Sequence, residues 1–194
     1  MILANHIIFS AYGFWLPNDP RGSWSEFVRC WEILMAGGRA TKIDDRRSVA
    51  SAPHDVKARR AAKRALRHPP VRFDGLQALA IAKGFSRAVE ESEYSIYACA
   101  ILPDHAHLVA GRHHHDPERI AGHLKTRATQ VLTEEGRHPF VHLQSPPSPW
   151  GRKCWKVFLD THADVRRAVA YVEENPGKMG YRRQDWTFVT GFAG

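Results

Sequence analysis

The chain has few of the residues that mark disulfide-rich or membrane-spanning proteins. Its three cysteines, Cys30, Cys99 and Cys154, lie far apart and never form a C-x-x-C motif. The sequence therefore predicts neither a disulfide framework nor a structural zinc site. The longest apolar run, residues 96–102, is much shorter than the roughly 20 residues that cross a bilayer. No basic region precedes the apolar N-terminal residues, so no signal peptide is expected. These absences predict a cytoplasmic protein that does not bind membranes.

Acidic residues are also in deficit. The 20 Asp and Glu face 28 Lys and Arg, which gives a net charge of +8. Seven of the basic residues lie in residues 57–72, where there is no acidic residue. A positive field attracts polyanions, so the composition favours a nucleic acid as partner. The length of 194 residues and the 43% hydrophobic content predict one folded domain, 1–194, with 37–72 as a basic linker and helical insertion.

Local patterns predict an alternation of strands and helices. The expected elements are a strand at 5–12, helices at 25–35, 55–68 and 76–92, strands at 94–102 and 105–112, a helix at 116–135, a strand at 154–159, and a helix from 160 or 161 to Asn175, before Pro176. This order predicts an α+β fold. We expect a ferredoxin-like split βαβ antiparallel sheet with helices on one face, a C-terminal helix and a basic helical insertion.

Two histidines occupy alternate positions on one predicted strand. His105 and His107 flank Ala106, and side chains two apart on a strand point to the same face. Both imidazoles can therefore bind one metal ion. In a chain with 12 histidines such a pair also arises by chance, so the pattern alone leaves an ordinary strand as the alternative.

Tyr171 and Asn175 form a second pair, on the last predicted helix. Residues four apart are neighbours on one helix face, so a phenol and an amide are directed to the same place. Taken alone, the pair is better explained by a packed tyrosine and a polar residue at a helix end. The occurrence of both pairs in one chain favours a functional interpretation.

Four segments together resemble the single-tyrosine HUH transposases, and most closely their REP-associated branch. They are FWLPNDPRG after the first strand, LPDHAHLV on the hairpin, KVFLDTHADVRRAVAYVEENP at the last strand and helix, and GYRRQDWTFV near the end. Two positions depart from the family pattern. The residue between the histidines is only Ala106, and Asn18 stands where relatives often have glycine in the W-L-P-x-D loop. Neither departure removes a reactive group.

The resemblance implies a role for each residue of the two pairs. Tyr171 would attack single-stranded DNA and form a 5′-phosphotyrosine, releasing a free 3′-OH. His105, His107 and Asn175 would bind Mg²⁺ or Mn²⁺. Such a cation polarises a non-bridging phosphate oxygen and stabilises the transition state. A later 3′-OH can reverse the covalent step, which permits strand transfer without ATP.

The expected function is therefore that of a metal-dependent single-stranded DNA endonuclease and strand transferase, acting at hairpin-forming repeats. The partner would be single-stranded or hairpin DNA, and the chain would act as a monomer or a homodimer. Two alternatives remain open. One is a domesticated nucleic-acid-binding protein with little catalysis, and the other is a metal-dependent nuclease without a covalent intermediate.

Further residues are candidates for DNA contacts. Their shared property is positive charge on a predicted helix face or in the loop before the last strand: Arg60, Lys63, Arg64, Arg67, Arg152 and Lys153. A solvated surface explains them as well. The triplet His113 to His115 favours a polar turn over a metal site. Trp150 and Trp155 could stack on bases, but a core position is favoured for Trp155 because it falls within a predicted strand.

Overall fold

The computed structural model of the chain describes residues 1–21, 30–41 and 53–194. Within these ranges the elements are β1 (Ala4–Ser10), α1 (Trp31–Gly37), α2 (Val56–Arg64), α3 (Gly75–Ser92), β2 (Ile96–Ile101), β3 (His105–Gly111), α4 (Pro117–Glu134), β4 (Trp155–Leu159) and α5 (His162–Lys178). The strands lie close to their predicted positions. Part of the helix predicted at 25–35, up to residue 29, lies outside the described residues, as do residues 42–52 of the predicted insertion.

The four strands form one antiparallel sheet in the order β2-β3-β1-β4. This is the strand order of a split βαβ unit, in which β1 is central. The turn at Pro103 and Asp104 joins β2 to β3, and Leu102 N–H donates to the His105 carbonyl at 2.8 Å. The predicted α+β fold with an antiparallel sheet is confirmed. None of the described helices is long and apolar enough to cross a membrane.

Helices cover both faces of the sheet. The helices α3 and α4 pack on the face that carries Ile7, Phe9 and Leu108. The opposite face, which carries Ala100 and Val109, is covered by α5. The helices predicted on one face of the sheet are α3 and α4. The predicted C-terminal helix, α5, lies on the other face. Because strand side chains alternate, the odd-numbered residues 105 and 107 of β3 face α5.

Gly84 allows α3 and α4 to pack closely. A Cβ atom at this position would lie 2.7 Å from the carbonyl carbon of Arg127 and closer still to the backbone of Ala128. Backbone atoms cannot move aside as a side chain can. We expect Gly84→Val to lower the free energy of unfolding by about 3 kcal/mol, measured by urea denaturation. Gly122→Ala on α4 is the matched control, because its Cβ meets no atom within 4 Å. Equal stability of the two variants would contradict this prediction.

The last helix is longer than predicted. The sequence indicates an end at Asn175, but α5 continues through Pro176 to Lys178. Proline has no N–H, so the carbonyl of Val172 loses its helical donor at this position. The carbonyl of Pro176 in turn accepts from the N–H groups of Met179 and Tyr181. These bonds end the helix one turn later, with Asn175 and Pro176 both buried.

The free side of β2 is covered by the C-terminal segment. Gln184 pairs with the backbone of Ile101, since its amide oxygen accepts from the N–H and its amide nitrogen donates to the carbonyl, both at 2.8 Å. Val189 forms a single parallel bridge with Ile96. This contact explains why the segment GYRRQDWTFV belongs to the fold although it lies after the last helix.

Candidate active site

The face of the sheet under α5 brings the two predicted pairs together. The rings of His105 and His107 lie 4.8 Å apart, centroid to centroid, and the ring of Tyr171 lies 5.7 Å from that of His107. Asn175 is one helical turn beyond Tyr171 and is buried. Tyr171 itself is 39% exposed. A phenol that solvent reaches thus lies directly against a buried imidazole.

A third histidine belongs to this site, and the sequence analysis missed it. Nε2 of His6 lies 3.0 Å from Nδ1 of His107, and the His6 ring lies 5.9 Å from that of Tyr171. Burial lowers the pKa of His6 to about 4, so the imidazole is neutral at pH 7. The available signal was a polar residue within an apolar strand. The role of His6 becomes visible only from the pairing of β1 with β3, which places Ile8 opposite His107. Local sequence patterns do not reveal this pairing.

His105 is held by the residue before it. Its Nδ1 lies 2.7 Å from a carboxylate oxygen of Asp104. Burial raises the pKa of this carboxyl, but the hydrogen bond and charge of His105 and the charge of Arg21 outweigh burial and lower the pKa to about 2. Arg21 lies 3.6 Å from Asp104 and also pairs with Asp19 at 3.1 Å. Asp104 is therefore ionised, and it can only accept the hydrogen bond.

The loop with the W-L-P-x-D-x-R-G pattern supports this arrangement. The ring of Trp15 lies 5.8 Å from that of His105, and Arg21 comes from the same loop. Asn18 has a φ of 62°, a left-handed conformation that glycine and asparagine tolerate best. This explains why asparagine fits at this position of the loop. The side chain of Asn18 also donates to the Gly37 carbonyl.

The surroundings of Tyr171 are charged and open. Nζ of Lys178 lies 4.7 Å from the centre of the tyrosine ring and forms an ion pair with Glu174 at 3.0 Å. Glu173 pairs with Arg183 at 3.3 Å. Both glutamates are exposed and paired, so neither has the environment of a buried catalytic acid. The Tyr171 ring therefore lies beside the ammonium of Lys178 and is partly exposed to solvent.

The donor set is compatible with a divalent cation. Two imidazoles and an amide oxygen suit Mn²⁺, and less closely Mg²⁺. The amide nitrogen of Asn175 is buried, and the described residues provide no hydrogen-bond partner for it. The two ends of an amide are distinguished by their hydrogen bonds rather than by shape, so Oδ1 can take this position instead. A buried amide without a partner, one helical turn from the tyrosine that contacts His107, fits a ligand for a cation.

Among the described residues, His113, His114 and His115 form a second group of potential metal ligands. Its ligand atoms lie within 4.8 Å of one another, a spacing that could hold a metal ion. However, Nε2 of His113 bonds to the Ser92 carbonyl, and its Nδ1 accepts from the His115 N–H. Nδ1 of His115 contacts the hydroxyl of Tyr94 at 3.1 Å. These bonds support the predicted polar turn.

The predicted basic helix face is only partly formed. The helix α2 ends at Arg64, so Arg67 lies beyond it and the predicted end at residue 68 is wrong. After Arg64 the helix ends in a tight turn, in which the Leu66 N–H donates to the Lys63 carbonyl, and the prolines at 69–70 disfavour helical conformation at residue 68. Lys63 lies with Nζ 4.4 Å from the Phe14 ring, and burial lowers its pKa. Arg60 and Arg64 remain exposed.

The two tryptophans differ from each other. Trp150 is 3% exposed and contacts Phe9 and Phe73, so it belongs to the core and is not available for base stacking. Trp155 is half-buried, and it lies opposite Ile8 on the face of the sheet that carries His107. The expectation of a core position for Trp155 is therefore wrong. It lies on the edge strand β4, which pairs with β1 on one side of the described sheet.

Lys125 anchors the loop before β4. Its Nζ donates to the carbonyls of Gly151 and Lys153 at 2.8 and 2.9 Å and lies 5.0 Å from the Phe9 ring. These bonds fix the backbone on both sides of Arg152. The exposed side chains of Arg152 and Lys153 thus extend from a held loop.

The burial of Lys125 predicts a pH dependence of stability. Burial lowers its pKa to about 8, whereas an unfolded lysine titrates near 10.4. Between these values the unfolded chain binds the proton that the folded chain has lost, so the free energy of unfolding rises with pH, by up to about 3 kcal/mol. Urea denaturation at about pH 7.5 and pH 10 checks this. Lys125→Met should lack this rise, and an equal rise in both proteins would contradict the assignment.

Comparisons with known proteins extend these observations. No family model matches the chain. The chain is 30% identical over 111 residues to a protein of Haemophilus influenzae assigned as a REP-associated tyrosine transposase. The aligned region covers 54% of this chain and 62% of that protein. The chain therefore matches less than two thirds of the length of this relative.

Two solved structures are also similar. One is a REP-associated tyrosine transposase bound to a REP hairpin, with a TM-score of 0.48 and 14% identity, covering 96% of this chain and 74% of that one. The other is a Deinococcus radiodurans protein assigned as a transposase, with a TM-score of 0.42 and 13% identity, covering 90% and 91%. Both TM-scores are too low to support an argument about function. The similarity in sequence to the Haemophilus influenzae protein confirms the resemblance to the REP-associated tyrosine transposases that the motifs of this chain predict.

Proposed function

We propose that the chain is a metal-dependent endonuclease and strand transferase for single-stranded DNA, with Tyr171 as nucleophile. The observation that carries the proposal is the position of Tyr171. Its partly exposed ring lies 5.7 Å from that of the buried His107. This geometry supports Tyr171 as a nucleophile that DNA could reach, beside imidazoles that could bind a cation.

The chemistry follows from the residues. His105, His107 and Asn175 would hold a divalent cation, which when bound polarises a non-bridging oxygen of the scissile phosphate. The phenol oxygen of Tyr171 loses its proton and forms a bond to phosphorus, while the bond from phosphorus to the 3′ oxygen breaks. The departing 3′ oxygen takes up a proton and becomes a free 3′-OH. The 5′-phosphotyrosine preserves a phosphoester, so attack by another 3′-OH reverses the step.

Other residues of the chain would position the DNA. The ammonium of Lys178 beside the tyrosine ring can pair with a phosphate oxygen of the bound strand. Arg60, Arg64, Arg152 and Lys153 are exposed and would contact the DNA backbone, which adds affinity that falls with salt. The resemblance to the REP-associated branch favours hairpin-forming repeats as the substrate. The protein would act in the cytoplasm, as a monomer or a homodimer.

A covalent adduct assay tests this proposal. The protein is incubated with a labelled single-stranded hairpin DNA in Mn²⁺, Mg²⁺ or EDTA and separated on a denaturing gel. We expect a band of protein joined to DNA, together with a fragment ending in a 3′-OH, only with the cation. Binding without cleavage across metals and substrates would instead indicate a DNA-binding protein. Cleavage without an adduct would indicate a nuclease that uses water.

A further inference from the structure

The two histidines of the H-x-H pair are each held through the same ring nitrogen by a second residue. We propose that His6 is a positioning residue that accepts a hydrogen bond from Nδ1 of His107, as Asp104 accepts one from Nδ1 of His105. Both imidazoles then keep the lone pair of Nε2 free for the cation. This inference rests on the proposed function, because it assigns the two residues that orient the metal ligands.

The tautomer of His105 follows from its partner. Carboxylate oxygens accept hydrogen bonds, and one of Asp104 lies 2.7 Å from Nδ1 of His105, so the proton of this bond belongs to Nδ1. A neutral imidazole with a proton on Nδ1 has its lone pair on Nε2. A carboxylate that orients a ligating histidine in this way is a frequent arrangement in metal sites. Arg21 holds the carboxylate in place from the other side.

The tautomer of His107 depends on the direction of its bond to His6. The two imidazoles lie 3.0 Å apart and form one hydrogen bond, in which one ring nitrogen donates and the other accepts. If His6 donates, His107 carries its remaining proton on Nε2 and cannot bind a cation there. If His107 donates, Nε2 is free, as it is in His105. His105 and His107 share one face of the sheet, but one cation can bind both through Nε2 only if His107 is the donor in its bond to His6.

The fold makes His6 suited to this role. It lies on the central strand β1, and α5 covers the same face. His6 is 9% exposed, and its ring contacts the rings of both His107 and Tyr171. His6 thus touches a metal ligand and the proposed nucleophile at once. A buried ring held on two sides cannot rotate freely, so His107 keeps one orientation.

Nitrogen NMR spectra of the metal-free protein test the hydrogen-bond directions without any activity. Long-range ¹H–¹⁵N correlations distinguish the two tautomers of each ring. We expect His105 and His107 both to carry the proton on Nδ1 in the native chain. In His6→Phe, which keeps a buried ring but removes the acceptor, His107 should shift toward the tautomer with the proton on Nε2, while His105 is unchanged. Native spectra with the His107 proton on Nε2 would overturn the proposal.

Binding of Mn²⁺ provides the second test. By calorimetry we expect His6→Phe and Asp104→Leu to weaken Mn²⁺ binding by about 10–100-fold. His6→Gln and Asp104→Asn retain an acceptor oxygen and should lose less. Affinity for hairpin DNA in EDTA and the unfolding midpoint of each variant report separately on damage to the fold. Native-like Mn²⁺ affinity in folded His6→Phe would refute the positioning role while leaving the proposed function intact. Failure of the native chain to bind Mn²⁺ or to cleave DNA would instead refute the proposed function itself.

Discussion

Tyr171→Phe is expected to abolish the covalent protein–DNA adduct. The substitution removes one oxygen atom, the one that would bond to phosphorus, and leaves the ring packed beside His107. Because the loss of a nucleophile typically costs a factor of about 10³ or more, the adduct band should fall below detection. Affinity for the hairpin, measured by fluorescence anisotropy in EDTA, should remain within about twofold of the native value.

Tyr181→Phe is the matched control. Tyr181 is also exposed, at 48% compared with 39% for Tyr171, and lies just beyond the same helix, so both variants lose one exposed phenol. Tyr181→Phe should form the adduct at the native rate. An adduct that persists in Tyr171→Phe but disappears in Tyr181→Phe would move the nucleophile to Tyr181.

His105→Ala and His107→Ala are expected to lose cation-dependent cleavage while retaining DNA binding. Each removes an imidazole from the face under α5, and if the two histidines are ligands as proposed, the loss of one would leave the cation weakly bound and misplaced. Cleavage rates at a fixed Mn²⁺ concentration should fall by at least about 100-fold. If weaker Mn²⁺ binding is the main defect, a higher Mn²⁺ concentration should restore part of the cleavage rate. Cleavage rates measured over a Mn²⁺ titration check this.

His114→Ala is the control for these two variants. His114 is an exposed histidine in the triplet His113 to His115, so its removal tests whether any histidine loss alters cleavage. It should cleave at the native rate with the native Mn²⁺ dependence. If His114→Ala loses cleavage and His107→Ala keeps it, the functional cation is bound by the triplet instead.

Signals within a few residues of each other allowed much of the fold to be predicted. The helix α4 begins and ends where Asp116, Pro117 and Gly136 indicate, because capping depends on neighbouring residues alone. The hairpin of β2 and β3 follows from two β-prone runs around Pro103 and Asp104. The H-x-H pair lies on one face for the same reason, since alternation along a strand is local.

What the sequence could not reveal depends on contacts between distant parts of the chain. His6 and His107 are 101 residues apart, and only the pairing of β1 with β3 brings their rings together. The partial burial of Lys63 results from its contact with Phe14, and the partial exposure of Trp155 from the edge position of β4. In each case the residue type was visible, but its neighbours were determined by the assembled sheet.

The pairing of Gln184 with Ile101 has a consequence for association between copies of the chain. A strand at a sheet edge offers free N–H and carbonyl groups to any other extended segment. At Ile101 one side-chain amide already occupies both groups, just as a neighbouring peptide would. Addition of a foreign strand at this end of β2 would first have to displace Gln184. The C-terminal segment therefore protects this edge of the sheet against β-strand exchange and aggregation.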